Sequence, residues 1–337
     1  MKAYEIQGGF GLDNLRPADR PAPVAGPGQV LIRVRAVSLN FRDLLTVTGH
    51  YNPRQPLPLV PCSDGAGEVV AVGDGVTRVR VGDRVATCFT QGWIGGRPTV
   101  EGLRSTLGGP LDGALCEHMA LDAEGVVLVP EHLSDAEAAT LPCAALTAWS
   151  ALFEQGAVGP GHTVLVQGTG GVSIFALQLA QLAGARVVVT SSSDAKLERA
   201  RTLGAWQTVN YRSEPDWGKA VRKLTGGEGV DHVVEVGGAA TLEQSLKAVR
   251  VGGAVSVIGV LGGVSAPFNV IPVLMQQVRL QGILVGSREG FEAMNRAIAS
   301  HRLAPVVDRV FPFAEAVDAF RTMERAEHFG KLCISVD

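Results

Sequence analysis

A chain of 337 residues exceeds what one hydrophobic core normally serves, so two domains are expected. Its 46% hydrophobic and 19% charged residues describe an ordinary folded globule and exclude a disordered or low-complexity protein. Lys and Arg number 30 against 33 Asp and Glu, a net charge of −3, so bulk electrostatics gives no footing for nucleic acid or an anionic membrane, and the expected partner is a small molecule.

To about Leu128 the chain consists of short β-branched runs separated by Gly, Pro and Asp. Val30–Val37 and Glu68–Val72 read as strands, with turns at Gly73–Asp74–Gly75 and Val81–Gly82–Asp83. Residues Gln91–Gly113 are glycine-laden and lack periodicity, which predicts a long surface loop. Ser134 with Glu137 makes a capping box ahead of a helix that Pro142 must kink or restart. From there strands and helices alternate. Strands are predicted at Thr163–Gln167, Arg186–Thr190, Gln207–Asn210, His232–Val236, Ala254–Gly259 and Leu280–Val285. Helices are predicted near Val172–Ala183, Asp194–Leu203, Trp217–Leu224, Thr241–Val249 and Ile271–Gln277. Helices of crossover length between strands give an α/β domain with a doubly wound parallel sheet. A helix, strand, helix and strand follow at Phe291–Ser300, Val306–Phe311, Ala314–Glu324 and Leu332–Val336. This tail is left over once the sheet is complete, so it is expected to return to the first domain. The expected division is residues 1–127, 128–287 and 288–337.

The cysteines, at 62, 88, 116, 143 and 333, lack C-x-x-C spacing, and their odd number suits a reducing compartment. The opening MKAYEIQGG lacks the apolar core of a signal peptide, and the most apolar stretch, Ala138–Phe153, is broken by Pro142 and too short to span a bilayer. A cytoplasmic protein is expected.

The stretch Val164–Ser173, VLVQGTGGVS, is the most informative. It reads as a strand, a glycine turn and the start of a helix. Glycines there let backbone amides approach a pyrophosphate, and the helix N-terminus faces the anion. Gly168, Thr169, Gly170, Gly171 and Val172 are therefore candidate coenzyme contacts, although Ser173 replaces the third glycine of the fingerprint. An acid that grips the NAD ribose normally ends the second strand. Here that strand runs into Ser191–Ser192–Ser193, with Lys196 a helical turn on and Tyr211 and Arg212 after the third strand. Such residues suit a 2′-phosphate, which points to NADPH; the plainer alternative is a polar helix entry with a solvated lysine. Asp194, the one acid nearby, is expected to cap its helix. Gly259 and Val260, and Val285, Gly286 and Ser287, stand at the carboxyl ends of the fifth and sixth strands, where such sheets bind ligands.

With these pieces placed, the chain resembles the medium-chain dehydrogenase/reductase superfamily, and within it the zinc-independent quinone oxidoreductase-like branch. The resemblance is carried by Ser38–Asp43 (SLNFRD), Ser63–Val70 (SDGAGEVV), Val81–Val85 (VGDRV), Leu141–Trp149, the glycine turn, Asn210–Arg212 and Phe329–Lys331 (FGK). It covers nearly the whole length. It implies a GroES-like β domain, a Rossmann domain followed by a returning tail, and an active site between the two domains. It also implies a homodimer joined through the sixth strand, Leu280–Val285.

In zinc-dependent members a cysteine stands at the position of Asn40, a histidine at that of Ser63 and a cysteine at that of Cys143. Only Cys143 remains. The resemblance therefore implies no metal, and Cys143 becomes a small buried side chain. Reduction of a quinone or of an activated C=C bond needs less electrophilic help than a simple carbonyl, but it needs donors for the oxygen that gains charge. Asn40 is such a donor or orienter. Tyr51 matches the tyrosine proton donor of enoyl reductases in the superfamily; otherwise it is a packed loop residue. Asp43 joins them in the candidate catalytic set, with an internal ion pair to Arg42 expected, and His50 is expected to be solvated. Thr147 matches a family threonine whose side chain lies against the nicotinamide, and the resemblance places Phe329 among the candidate coenzyme contacts. Two further readings stay open: an alcohol dehydrogenase, possibly holding metal through Cys143 and carboxylates, and an NADPH-binding protein with a structural or regulatory role.

Overall fold

A computed structural model describes residues 1–336. The chain forms two compact units, Met1–Leu146 with Gly286–Asp337, and Thr147–Val285. Residues 128–146, expected with the parallel sheet, belong to the first unit. The reason is local: helix Asp135–Ala139 packs on strands of the first unit's sheet.

The first unit opens with β1 (Lys2–Ile6), β2 (Leu15–Asp19), β3 (Gln29–Ser38), β4 (Asp64–Val72), β5 (Arg84–Thr87), β6 (His118–Asp122) and β7 (Val126–Leu128). β3 alternates buried and half-buried residues along most of its length, as an antiparallel strand with one face on a core must. The second unit contributes β8 (Thr163–Gln167), β9 (Arg186–Ser191), β10 (Gln207–Asn210), β11 (Val230–Glu235), β12 (Val249–Val257) and β13 (Arg279–Gly282). The chain then returns to the first unit with β14 (Val307–Pro312) and β15 (Lys331–Ser335).

In the second unit the strands lie in the order β10-β9-β8-β11-β12-β13, all parallel. This is the doubly wound order, whose reversal between β8 and β11 makes a crevice at the carboxyl ends. β8 is buried on both faces, and its Leu165 belongs to one hydrophobic core with Val188, Trp217, Val221, Val233 and Leu246. In the first unit the seven-stranded sheet runs β14-β15-β3-β4-β5-β7, with β6 also on β3. The tail strand β15 pairs antiparallel with β3, so the expected return is observed.

Two local expectations are corrected. Gln91–Gly113 is not a surface loop throughout: Thr106–Gly109 are buried, and Thr90 bridges to Thr106. Backbone carbonyls of this stretch serve a buried arginine, which draws it into the core. The sixth strand ends at Gly282 rather than Val285, and Val285 itself takes a left-handed φ of 53° that a strand does not contain. At Pro142 the helix does restart: Asp135–Ala139 closes at Thr140, and a π-helical turn follows at Leu141–Ala145 with the proline in its first turn.

Candidate functional site

In the second unit the glycine turn follows β8. Gly168 has φ 69°, and its N–H donates to Thr190 O at 2.7 Å, locking the turn to the end of β9. Gly170 is the N-cap of helix Gly171–Leu182 and supplies no side chain to cap it. A Cβ added to Gly168 or Gly170 would meet no protein atom within 4 Å. The turn is therefore an open cradle in front of helix N–H groups, with no acid in the first turn to fill it. Thr169 is buried, while Gly171 and Val172 are half-buried. Ser173 is accommodated because its hydroxyl turns back and donates to Gln167 O at 2.6 Å.

Ser191 ends β9, and Asn210 of β10 lies opposite it. Tyr211 N donates to Ser191 O at 3.1 Å, so the serine run and the Tyr211–Arg212 pair are brought together as expected. Tyr211 is exposed and Lys196 half-buried. The cap of helix Asp194–Thr202 is Ser193 rather than Asp194: the Ser193 hydroxyl accepts from Lys196 N. Asp194 instead accepts from Asn210 Nδ2 at 2.8 Å, which ties the only nearby acid to its own unit.

At the end of β11 stands a group that sequence reasoning missed. Glu235 is fully buried and accepts from Gly237 N at 2.7 Å, Gly238 N at 2.9 Å, Thr241 Oγ1 and Gln167 Nε2 at 2.6 Å each, and Ser245 Oγ. Through Gln167 it joins the strand before the glycine turn to the loop after β11. That loop packs on Gly259 and Val260: a Cβ on Gly238 would lie 2.9 Å from Gly259 O and 3.0 Å from Val260 Cα. The signal was an acid within the apolar run His232–Val236. Thr147 is buried in helix Leu146–Trp149, and Val285 is buried in its strained conformation.

The first unit holds a buried polar cluster. β3 leads into Asn40, the N-cap of helix Phe41–Val47, and the Asp43 carboxylate accepts Asn40 N–H at 2.8 Å. The expected Arg42–Asp43 pair is present at 3.5 Å. Arg42 also donates to Leu107 O at 2.8 Å and Gly109 O at 3.2 Å, and its guanidinium lies 4.7 Å from the centre of the Tyr51 ring. Tyr51 itself is 44% exposed, so its ring lids the arginine while leaving a wet face. His50 is exposed as expected. Burial pushes the Asp43 carboxyl up to about 6, reinforced by Asp64 and opposed by Arg42.

The other half of the cluster centres on Asp64, fully buried, which accepts from Ser63 Oγ at 2.7 Å and Cys143 N at 3.1 Å. Burial raises its carboxyl, with Lys331 the largest opposing influence. Lys331, 3% exposed on β15, donates to Leu39 O at 2.6 Å and Asn40 Oδ1 at 2.5 Å. Its role was not read from sequence. The available signal was a lone lysine opening the apolar strand KLCIS, but its partner Asn40 is 291 residues away. Phe329 and Gly286 are buried, and the Ser287 hydroxyl is committed to capping helix Arg288–His301, accepting from Gly290 N at 3.1 Å. Among the described residues, no three His, Cys, Asp or Glu side chains group so as to hold a metal ion.

A doubly wound sheet with an open glycine cradle, in one chain with a β unit that buries hydrogen-bond donors and charges, defines a nicotinamide-dependent oxidoreductase. The comparisons agree. Residues 26–131 match the alcohol dehydrogenase GroES-like domain, and residues 171–300 match the family described as zinc-binding dehydrogenase. A zinc-type alcohol dehydrogenase-like protein of Schizosaccharomyces pombe is 42% identical over 97% of this chain and 96% of its own length. A quinone oxidoreductase-like protein of Bos taurus is 30% identical, covering 94% of this chain and 87% of its own. The crystal structure of a putative alcohol dehydrogenase from Sinorhizobium meliloti superposes with a TM-score of 0.92 at 44% identity, covering 99% of this chain and 98% of that one. The chain belongs to the medium-chain dehydrogenase/reductase superfamily.

Proposed function

We propose that this protein uses NADPH, without a metal ion, to reduce a quinone or the activated C=C bond of a conjugated carbonyl compound. The observation that carries the reading is the wiring of the three positions that match zinc ligands in metal-dependent relatives. Asn40 Oδ1 faces the Lys331 cation, Ser63 Oγ donates to Asp64, and Cys143 is left as the one soft donor. A catalytic zinc needs three Cys, His or carboxylate ligands and an open position. The donor set does not fit it, and a dication there would share its surroundings with a lysine.

NADPH supplies the hydride. The protein's part is to meet the charge that then develops on the conjugated oxygen, for which Asn40 is the proposed donor or orienter, and to deliver a proton, for which Tyr51 is the proposed source. Hydride on one carbon and the phenolic proton on the neighbouring carbon complete the reduction of an enone; water restores the phenol. The Arg42 guanidinium, 4.7 Å from the centre of the Tyr51 ring, helps to hold that ring in place. Preference for NADPH is supported by Ser191–Ser193 in place of the ribose-binding acid and by the engagement of Asp194 with Asn210. The protein is read as a cytoplasmic homodimer, the second copy meeting the edge strand β13.

The test is a steady-state screen with NADPH and NADH against quinones, enones, enoyl thioesters and alcohols, alongside elemental analysis. Alcohols are included because the relatives' names favour a second reading as an alcohol dehydrogenase. NADPH is expected to exceed NADH in kcat/KM by at least about tenfold, with turnover of a quinone or enone. Equal use of NADH, or one zinc per chain whose chelation abolishes activity, overturns the reading. Tyr51→Phe is expected to lower kcat on enones by about 100-fold, within the range for a lost proton donor; an unchanged kcat removes Tyr51 from the mechanism.

A further inference from the structure

We infer that Glu235 is the positioning residue of the coenzyme crevice: it fixes the span between the glycine turn and the loops after β11 and β12, which a dinucleotide has to bridge. The inference deepens the nicotinamide-coenzyme reading and rests on it. Every residue concerned lies in the second unit. The β8–β9 ladder runs to Gln167 opposite Thr190, and the β11–β12 ladder runs to Glu235 opposite Val257. Between β8 and β11, where the strand order reverses, the ladder stops one residue earlier, at Val166 opposite Val234. There the sheet has to part to make the crevice. Gln167 and Glu235 are the next residues on each side, and their side chains continue the pairing that the main chain has given up, with Gln167 Nε2 donating to Glu235 at 2.6 Å.

Each member of the pair also holds the loop on its own side. Gln167 O accepts the Ser173 hydroxyl at 2.6 Å, which anchors the first turn of helix Gly171–Leu182, and Gln167 Oε1 accepts from Val236 N and Gly237 N, both at 3.3 Å. The Glu235 carboxylate takes the Gly237 and Gly238 N–H groups and the Thr241 and Ser245 hydroxyls, and its main-chain O accepts from Ile258 N at 2.9 Å. The loop after β12 is tied in turn to the loop after β11, with Gly262 N donating to Gly237 O at 2.6 Å and Ala239 N to Gly263 O at 3.1 Å. Apolar side chains would close the seam without burying a charge, but they would leave its width and direction loose. An ionised carboxylate only accepts, so donors from both sides converge on one point through short, directional bonds. A dinucleotide binds with one half on each side of such a crevice, and the second half gains from the first only as far as the span between them is fixed.

The experiment measures, by calorimetric titration, the affinity for NADPH and for adenosine 2′,5′-bisphosphate, which reaches only the glycine-turn side. The variants are Glu235→Gln, which turns an amide N–H toward the converging donors, Gln167→Met, which cuts the bridge from the glycine-turn side, and the exchange Gln167→Glu/Glu235→Gln, which again sets one amide against one carboxylate. Glu235→Gln and Gln167→Met are expected to weaken NADPH binding by about tenfold or more and bisphosphate binding by less than about twofold. The exchange is expected to recover most of the NADPH affinity. Equal losses for both ligands, as a collapsed glycine turn would give, unchanged NADPH affinity, or an exchange variant that folds yet binds like Glu235→Gln overturn the inference. Should Glu235→Gln not fold, the comparison of Gln167→Met with the exchange variant decides. A second measurement needs no ligand. Hydrogen exchange in Glu235→Gln and Gln167→Met is expected to rise together in residues 168–177 and 236–263 and to stay unchanged in β9 and β10; a rise confined to one of the two segments overturns the inference. Should the unmodified protein bind no NADPH, the coenzyme reading falls, while hydrogen exchange still decides whether Glu235 and Gln167 couple the two sides.

Discussion

His232 is the clearest case of a single side chain whose chemistry follows from its place. It lies on β11, 2% exposed, with Nε2 against Ser256 Oγ at 3.0 Å and Nδ1 without a partner. Burial lowers its pKa to about 4 from the ordinary imidazole value of 6.5, with Arg279 adding to the effect. Between those values the unfolded chain binds the proton that the folded unit refuses. The second unit is therefore expected to keep its full stability above pH 6.5 and to lose up to about 1.4 kcal/mol per pH unit as the pH falls toward 4. Asp43 acts with opposite sign in the first unit: its raised value favours folding below pH 3.8, an advantage lost as the pH rises through about 6. Trp149, Trp206 and Trp217 lie in the second unit and Trp93 in the first, so tryptophan fluorescence separates the two effects. Urea unfolding at pH 4.5 to 7.5 should show His232→Gln gaining on the unmodified protein below pH 6.5. Parallel pH dependences for the two proteins would show that His232 does not carry the acid limb.

At the scale of the element, the glycine turn separates what the fold needs from what the ligand needs. Gly168 needs its glycine for the backbone, since φ 69° strains any side chain. Gly170 does not: its φ of −77° and ψ of −179° suit most residues, and a Cβ there touches no protein atom. Gly170→Ala is thus expected to change folding stability by less than about 1 kcal/mol. If the empty space is where a pyrophosphate lies, the same methyl should weaken NADPH binding by about tenfold or more, read by quenching or coenzyme fluorescence titration. Unchanged affinity in a folded Gly170→Ala protein would place the pyrophosphate elsewhere. This turn was legible in sequence because its residues are contiguous and its constraints local. The same is true of the sheet strands, whose β-branched runs and crossover helices fall close to their expected places. The Asn40–Lys331 and Gln167–Glu235 links were not legible, because each joins residues that are adjacent only after the sheet closes. Likewise nothing near Gln91 in the sequence says that Leu107 and Gly109 will be drawn inward by Arg42.

For the whole molecule, the placing of apolar surface carries the last argument. No helix among the described residues is long and apolar enough to cross a membrane. Yet the segment before β13 exposes large apolar side chains in succession, with Val264 82%, Val270 59%, Leu274 70% and Met275 72% exposed. A parallel sheet normally hides both its faces, and β13 is an edge strand of this one, with one side unpaired. Scattered apolar residues need no explanation, but a contiguous patch beside an open strand edge is the surface a second copy would cover. The net charge of −3 spread over 337 residues offers little repulsion to such a pairing. Sedimentation at micromolar concentration is accordingly expected to give twice the chain mass of 35.2 kDa. Paired Leu274→Glu and Met275→Glu substitutions lie outside the glycine turn and the buried charged cluster, and they are expected to shift the protein to 35.2 kDa with its far-UV spectrum unchanged. A dimer that survives both glutamates would have to use another face, and a monomer at all concentrations would leave the patch for a different partner.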